Sequence, residues 1–222
     1  MNNKILSLLQ LELLREWRNK YALAGLLVYE LSCILVVKFM VQYSGSKNIS
    51  AESAVALFWL ILLFSAVNAI ANSLYQEPEG RKYYYMWLTA PANVISAKLI
   101  YNLLLSIFLT LVAFATFSVL VGFQITHYWL FIATAIAGSC GYAFVFTTVG
   151  AVASGSKNNA SLLAILGMPL VIPLLIFISK LSVASIESGV DTQAIKNLFL
   201  LISFDAIIAA LAFVLFPYLW RD

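Results

Sequence analysis

The stretch YQEPEGRKYYYMWLTAPANVISAK, residues 75–98, is the one sizeable polar island between two long apolar segments. It carries Glu77, Glu79, Arg81, Lys82 and Lys98, the run Tyr83-Tyr84-Tyr85, Trp87, and two prolines. The residues on either side are apolar over lengths that match a bilayer. The chain therefore reads as membrane-embedded, with this island as the part able to meet a soluble partner.

Composition agrees with that reading. The chain is 63% hydrophobic and 10% charged, with a mean hydropathy of +0.94, whereas soluble domains carry roughly a quarter charged residues. A bilayer core of about 30 Å needs about 20 apolar residues per helix. Six runs qualify, at approximately 22–43, 53–75, 97–122, 128–152, 160–180 and 198–219. They are continuously apolar and too long for barrel strands of about ten alternating residues. The expectation is an all-α membrane domain spanning 1–222.

The flanks refine this picture. Residues 3–20 are too charged to span, but Leu6, Leu9, Leu13 and Trp17 share a helical face roughly opposite Lys4, Arg15 and Arg18, which suits an interfacial amphipathic helix over 1–20. With a cytoplasmic N-terminus, nine cations (Lys4, Arg15, Arg18, Lys20, Arg81, Lys82, Lys98, Lys157, Arg221) lie inside. Four (Lys38, Lys47, Lys180, Lys196) lie outside or face outward, so both termini and the island are expected on the cytoplasmic side.

Within the island, Glu77-Pro78-Glu79 has the chemistry of a helix start, with proline in the first turn and carboxylates at the positive end of the dipole. Pro91 marks a stop, because the residue before a proline disfavours helix. Between them Arg81, Tyr84, Tyr85 and Leu88 recur at helical spacing, and arginine and aromatic residues are enriched in protein interfaces. A partner-docking helix over 76–92 is the functional reading; an aromatic belt resting on headgroups is the alternative.

Inside the spans, polar groups are scarce and therefore informative. Glu30 is deep enough that it must pair, protonate or face a polar cavity, and Asp205 poses the same question. Ser65, Asn68 and Asn72 form a helical polar seam, with interhelix glue as the default. Ala133, Ala137, Gly138 and Gly141 allow close helix approach and predict a span central in the bundle or at a subunit contact. Pro169 and Pro173, four apart in one span, each remove a backbone donor and predict a kink. His127 beside Tyr128 and Trp129 reads as an interfacial residue rather than a ligand, and Cys33 and Cys140 as small apolar residues. No GxxxxGK[ST] motif, metal cluster or catalytic constellation occurs, and the basic balance calls for no nucleic acid.

Taken together, the pattern resembles the CcmB family, the permease subunit of the ABC transporter of cytochrome c maturation, often called the haem exporter. The resemblance is carried by the N-terminal amphipathic segment, six spans and a cytoplasmic helix between spans two and three. Its most specific part is Leu162–Phe177, with paired prolines ending in PLLIF; Glu77, Glu79, Gly80, Pro91 and Ala97-Lys98 add to it. The resemblance implies an exporter-type ABC permease fold in a bacterial inner membrane, acting as a homodimer and not itself an enzyme. ATP would bind a CcmA-like partner ATPase. CcmC-like and CcmD-like membrane proteins and, indirectly, a CcmE-like haem chaperone would complete the complex that handles haem; this chain binds no cofactor of its own. Glu77, Glu79, Arg81, Lys82, Tyr84, Tyr85 and Leu88 would form the coupling helix. Rival readings are a permease of another ABC exporter, for lipid, polysaccharide or drug; a secondary transporter using Glu30 and Asp205; and a membrane assembly protein.

Overall fold

Pro91 opens a helix as well as closing the island. In the computed structural model Ala90 is extended (φ −65°, ψ 142°) and Pro91 stands in the first turn of a 31-residue helix, where its missing N–H would have no intrahelical partner anyway. The structure describes residues 2–18, 20–43, 49–75, 90–122, 125–153, 159–186 and 192–219. These form α1 (Asn2–Arg18), α2 (Lys20–Tyr43), α3 (Ala51–Tyr75), α4 (Pro91–Val121), α5 (Tyr128–Ala153), α6 (Asn159–Ile186) and α7 (Thr192–Leu219). No strand occurs among the described residues. The six helices after α1 are long and apolar enough to cross a membrane.

Two boundaries differ from the expectation. The third span was placed from residue 97 and the coupling segment to 92, yet α4 already begins at Pro91. Its first turns contain Asn93, Ser96 and Lys98, which hide a helix from a hydropathy reading. At 1.5 Å per residue α4 is roughly 46 Å long, against a hydrocarbon core of about 30 Å, so several of its turns stand beyond the hydrocarbon. The gap between the runs 160–180 and 198–219 is shorter than those bounds imply, because α6 continues to Ile186 and α7 starts at Thr192.

The bundle has an inside and an outside. α3 and α5 are mostly buried, whereas the other four spans present most of their surface outward. The core joins Phe58, Trp59 and Leu62 of α3 with Phe117 of α4, Phe131, Tyr142 and Phe146 of α5, and Leu174 and Ile178 of α6. Phe58 meets Trp59 and Phe117 edge-on, at centroid separations of 5.3 and 5.7 Å, the geometry that aromatic quadrupoles favour.

Small residues bring α5 to the centre, the first of the two placements that the sequence predicts. A Cβ added to Gly138 would come within 2.6 Å of the Trp59 indole, and one on Gly141 would press on Leu174 and approach Asp205 Oδ1 to 2.7 Å. Trp59 Nε1 donates to Ser182 Oγ at 2.8 Å, and the Tyr142 hydroxyl donates to the Trp59 carbonyl at 3.1 Å. α3, α5 and α6 are thereby fixed to one another by hydrogen bonds as well as by packing. Apolar packing between helices gains little against lipid tails that are equally apolar, which gives such bonds and close contacts their importance.

At the end of α4 away from Pro91, Gly122 takes the left-handed conformation (φ 83°) that closes the helix. The short link to α5 then turns onto the end of α6. The backbone N–H groups of Thr126 and His127 donate to the Ser185 carbonyl at 3.2 and 2.9 Å, and Thr126 Oγ1 donates to the Ile186 carbonyl at 2.6 Å. Carbonyls left over at a helix C-terminus are satisfied in this way.

Candidate functional site

α1 docks on the protruding base of α4 through a polar clamp. Lys98 Nζ lies 3.5 Å from Glu12 Oε1, with Arg15 3.9 Å from the other carboxylate oxygen. One turn further along each helix, the Tyr101 hydroxyl donates to Glu16 Oε2 at 2.9 Å. Leu8 packs on Val94, Ile95 and Leu99, and Leu9 on Leu26, Tyr101 and Leu105. The apolar stripe proposed for α1 is divided: Leu9 turns to the bundle, while Leu6 and Leu13 are exposed. At 100° per residue these two leucines lie roughly a third of a turn from the clamp face. The side chain of Trp17 lies outside the described ones. Lys98 belongs to the island by sequence, and Glu12, Glu16 and Tyr101 join it only in the fold. The signal was a pair of acids four apart on a basic helix, facing a lysine and a tyrosine three apart on another.

This clamp stands where α4 emerges from the island. The coupling-helix residues Glu77, Glu79, Arg81, Lys82, Tyr84, Tyr85 and Leu88 lie outside the described residues. Their anchors are described: α3 leads in at Tyr75 and α4 leads out at Pro91. α4 packs against α1, α2, α3 and α5, and Asn102 Nδ2 donates to Thr147 Oγ1 of α5 at 2.8 Å in the buried interior.

The two intramembrane carboxylates are separate features. Glu30 of α2 is 1% exposed, and among the described residues neither of its oxygens has a partner within hydrogen-bond geometry. Ser65 of α3, itself fully buried, faces it. Lys38, two turns on, supplies no ion pair to Glu30. Asp205 lies on the inward stripe of α7 with Leu201 and Ile208, close to Gly141, and its Oδ1 is also unpaired. Such groups are costly in a bilayer.

The polar seam on α3 does not stay together. Ser65 is buried, but Asn68 and Asn72 are exposed on the outer face of the helix. Neither bonds another helix among the described residues, because the face buried by Ala69 and Ile70 turns them outward. α6 runs as one helix through Pro169 and Pro173. Pro169 is exposed and Pro173 half-buried, while Leu163, Val171, Leu174, Ile178 and Leu181 carry the buried face. No group of three or more His, Cys, Asp or Glu able to hold a metal occurs among the described residues.

These features define a six-span, all-helical integral membrane protein with a polar clamp at the base of its fourth helix. A family model described as CcmB protein matches residues 3–218, and the chain belongs to the CcmB family. Membership implies an ABC transporter permease of cytochrome c maturation, associated with haem export and partnered by the CcmA ATPase and other Ccm components. No curated protein matches the chain.

Proposed function

We propose that residues 1–222 act as one transmembrane permease domain, coupling ATP hydrolysis in a CcmA-like partner to haem handling or to release of a haem-loaded chaperone. The observation that carries this reading is the family match over residues 3–218. The segment 76–90 is taken as the coupling element, with Glu77, Glu79, Arg81, Lys82, Tyr84, Tyr85 and Leu88 meeting the ATPase. What supports this is its position between α3, which is mostly buried, and the long α4. Force applied there reaches α1 through Glu12–Lys98 and α5 through Asn102–Thr147. In this reading two copies assemble with two ATPase subunits, both termini face the cytoplasm, and α1 lies in the inner interface. Glu30, Asp205, Asn68 and Asn72 stand as candidates for the moving or partner-facing parts, and Pro169 and Pro173 for a kink in α6.

The test is purification of the tagged chain from its native membrane in mild detergent. An ABC ATPase and cytochrome c maturation proteins are expected with it, together with ATP hydrolysis. The variant Arg81→Glu with Tyr85→Ala should insert normally yet recover about tenfold less ATPase, as loss of interface anchors does. Unchanged recovery would remove the coupling assignment, and an ATPase without maturation proteins would favour another ABC exporter.

A further inference from the structure

A groove of about 440 Å³ runs between α1, α2 and α4. Its walls are Leu23 and Leu27 of α2 and Leu104 and Phe108 of α4, and its polar end is formed by Glu16, Lys20 and Tyr101. α2 and α4 run in the same direction here, so Lys20 pairs in height with Tyr101 and Leu27 with Phe108. Seven residues of helix make the apolar part roughly 10 Å deep. The groove thus points from the base of the bundle into the apolar part of the spans, with charge at one end only.

The charges at that end favour an anion. Of the charged side chains that line the groove, Lys20 is the cation and Glu16 the acid, with Arg15 and Arg18 close by in the chain on α1. Glu12 is engaged by Lys98 and Arg15, and Glu16 accepts the Tyr101 hydroxyl. Arg18 and Lys20 are exposed, and Lys20 lines the groove mouth. A free anion would have no use for the leucines below, and a neutral lipid none for the cations above. We propose that this groove seats one acyl chain of an anionic glycerophospholipid, with the phosphate at Lys20. The lipid would then fill the wedge between α1 and the first span and hold α1 against α4 alongside the clamp.

The experiment is native mass spectrometry of the full-length, delipidated protein offered palmitoyl-oleoyl phosphatidylglycerol or the matching phosphatidylcholine. The wild type should retain the phosphatidylglycerol preferentially. Lys20→Ala should lower retention about fivefold, as expected for one cation near an anionic surface, and the exposed-site control Lys196→Ala should leave it unchanged. Leu104→Trp, which blocks the apolar wall from a part-exposed position, should lower retention to a similar degree. Leu23→Trp repeats that test from the opposite wall should the first variant misfold, as judged by its elution profile and helical content. Equal retention of both lipids, or indifference to Lys20→Ala, would overturn the proposal. Displacement of the lipid by excess inorganic phosphate, or sensitivity to Lys20→Ala with no response to either tryptophan, would reduce the feature to an anion site and overturn the acyl seat.

Discussion

Lys98 and Glu12 come from positions 86 residues apart and meet at 3.5 Å with little exposure. Removing one partner of an enclosed pair costs more than the pair contributes, because the survivor stays desolvated. Arg15 remains near Glu12 and softens the loss. Lys98→Met should therefore destabilise the protein by about 2 kcal/mol, read as a lower unfolding midpoint in micelles, and Glu12→Gln added to it should restore part of that. Full additivity of the two changes would show that the pair does not interact. At Gly138 the determinant is space: the Trp59 ring that a methyl would strike is fixed by its bond to Ser182. Gly138→Ala should cost about 1–3 kcal/mol, as overpacking does, seen as a lower melting midpoint and a shifted tryptophan emission. Gly25→Ala, with open space around it, should leave the midpoint unchanged or raised.

Among the elements, α1 shows how one helix serves two surfaces. Its clamp face, with Leu8, Glu12 and Glu16, meets α4, while Leu6 and Leu13 project from the neighbouring flank. Leu11 is also exposed, roughly 140° round the helix from Leu6 at 100° per residue. A nitroxide at Leu6 should sit about 5–10 Å into the headgroup boundary and one at Leu11 in water, measured by collision with oxygen and with a water-soluble nickel chelate. Equal accessibility at the two sites would remove the interfacial reading. Leucine spacing predicts the stripe but not its division, with Leu9 turned to the bundle and Leu6 and Leu13 exposed. The clamp was not legible, since Glu12 and Glu16 acquire meaning only once Lys98 and Tyr101 are brought alongside by the packing of α4. Asn68 and Asn72 teach the converse: their spacing fixed a common face but not whether that face turned inward.

Across the whole molecule, six spans were legible because a bilayer demands long apolar helices, and the centrality of α5 because glycine and alanine recur along it. The early start of α4 escaped because Asn93, Ser96 and Lys98 lower the hydropathy of a helix that stands partly beyond the hydrocarbon. An even number of spans requires both ends on one side. With Cys33 and Cys140 replaced by alanine, single cysteines at Lys4 and Arg81 should be labelled from the cytoplasmic side of sealed vesicles and one at Thr126 only from the other, read by an impermeant maleimide. Labelling of Lys4 and Arg81 from opposite sides would break the topology. The bonds of Thr126 and His127 to Ser185 and Ile186 carry a last consequence. α5 and α6 follow one another in the chain at one end and are tied by these bonds at the other, so the two form a closed frame that resists splaying. In the proposed cycle of ATP hydrolysis this frame would move as one body while its neighbours slide or tilt past it, with α2 and α7, the least buried spans, freest to travel.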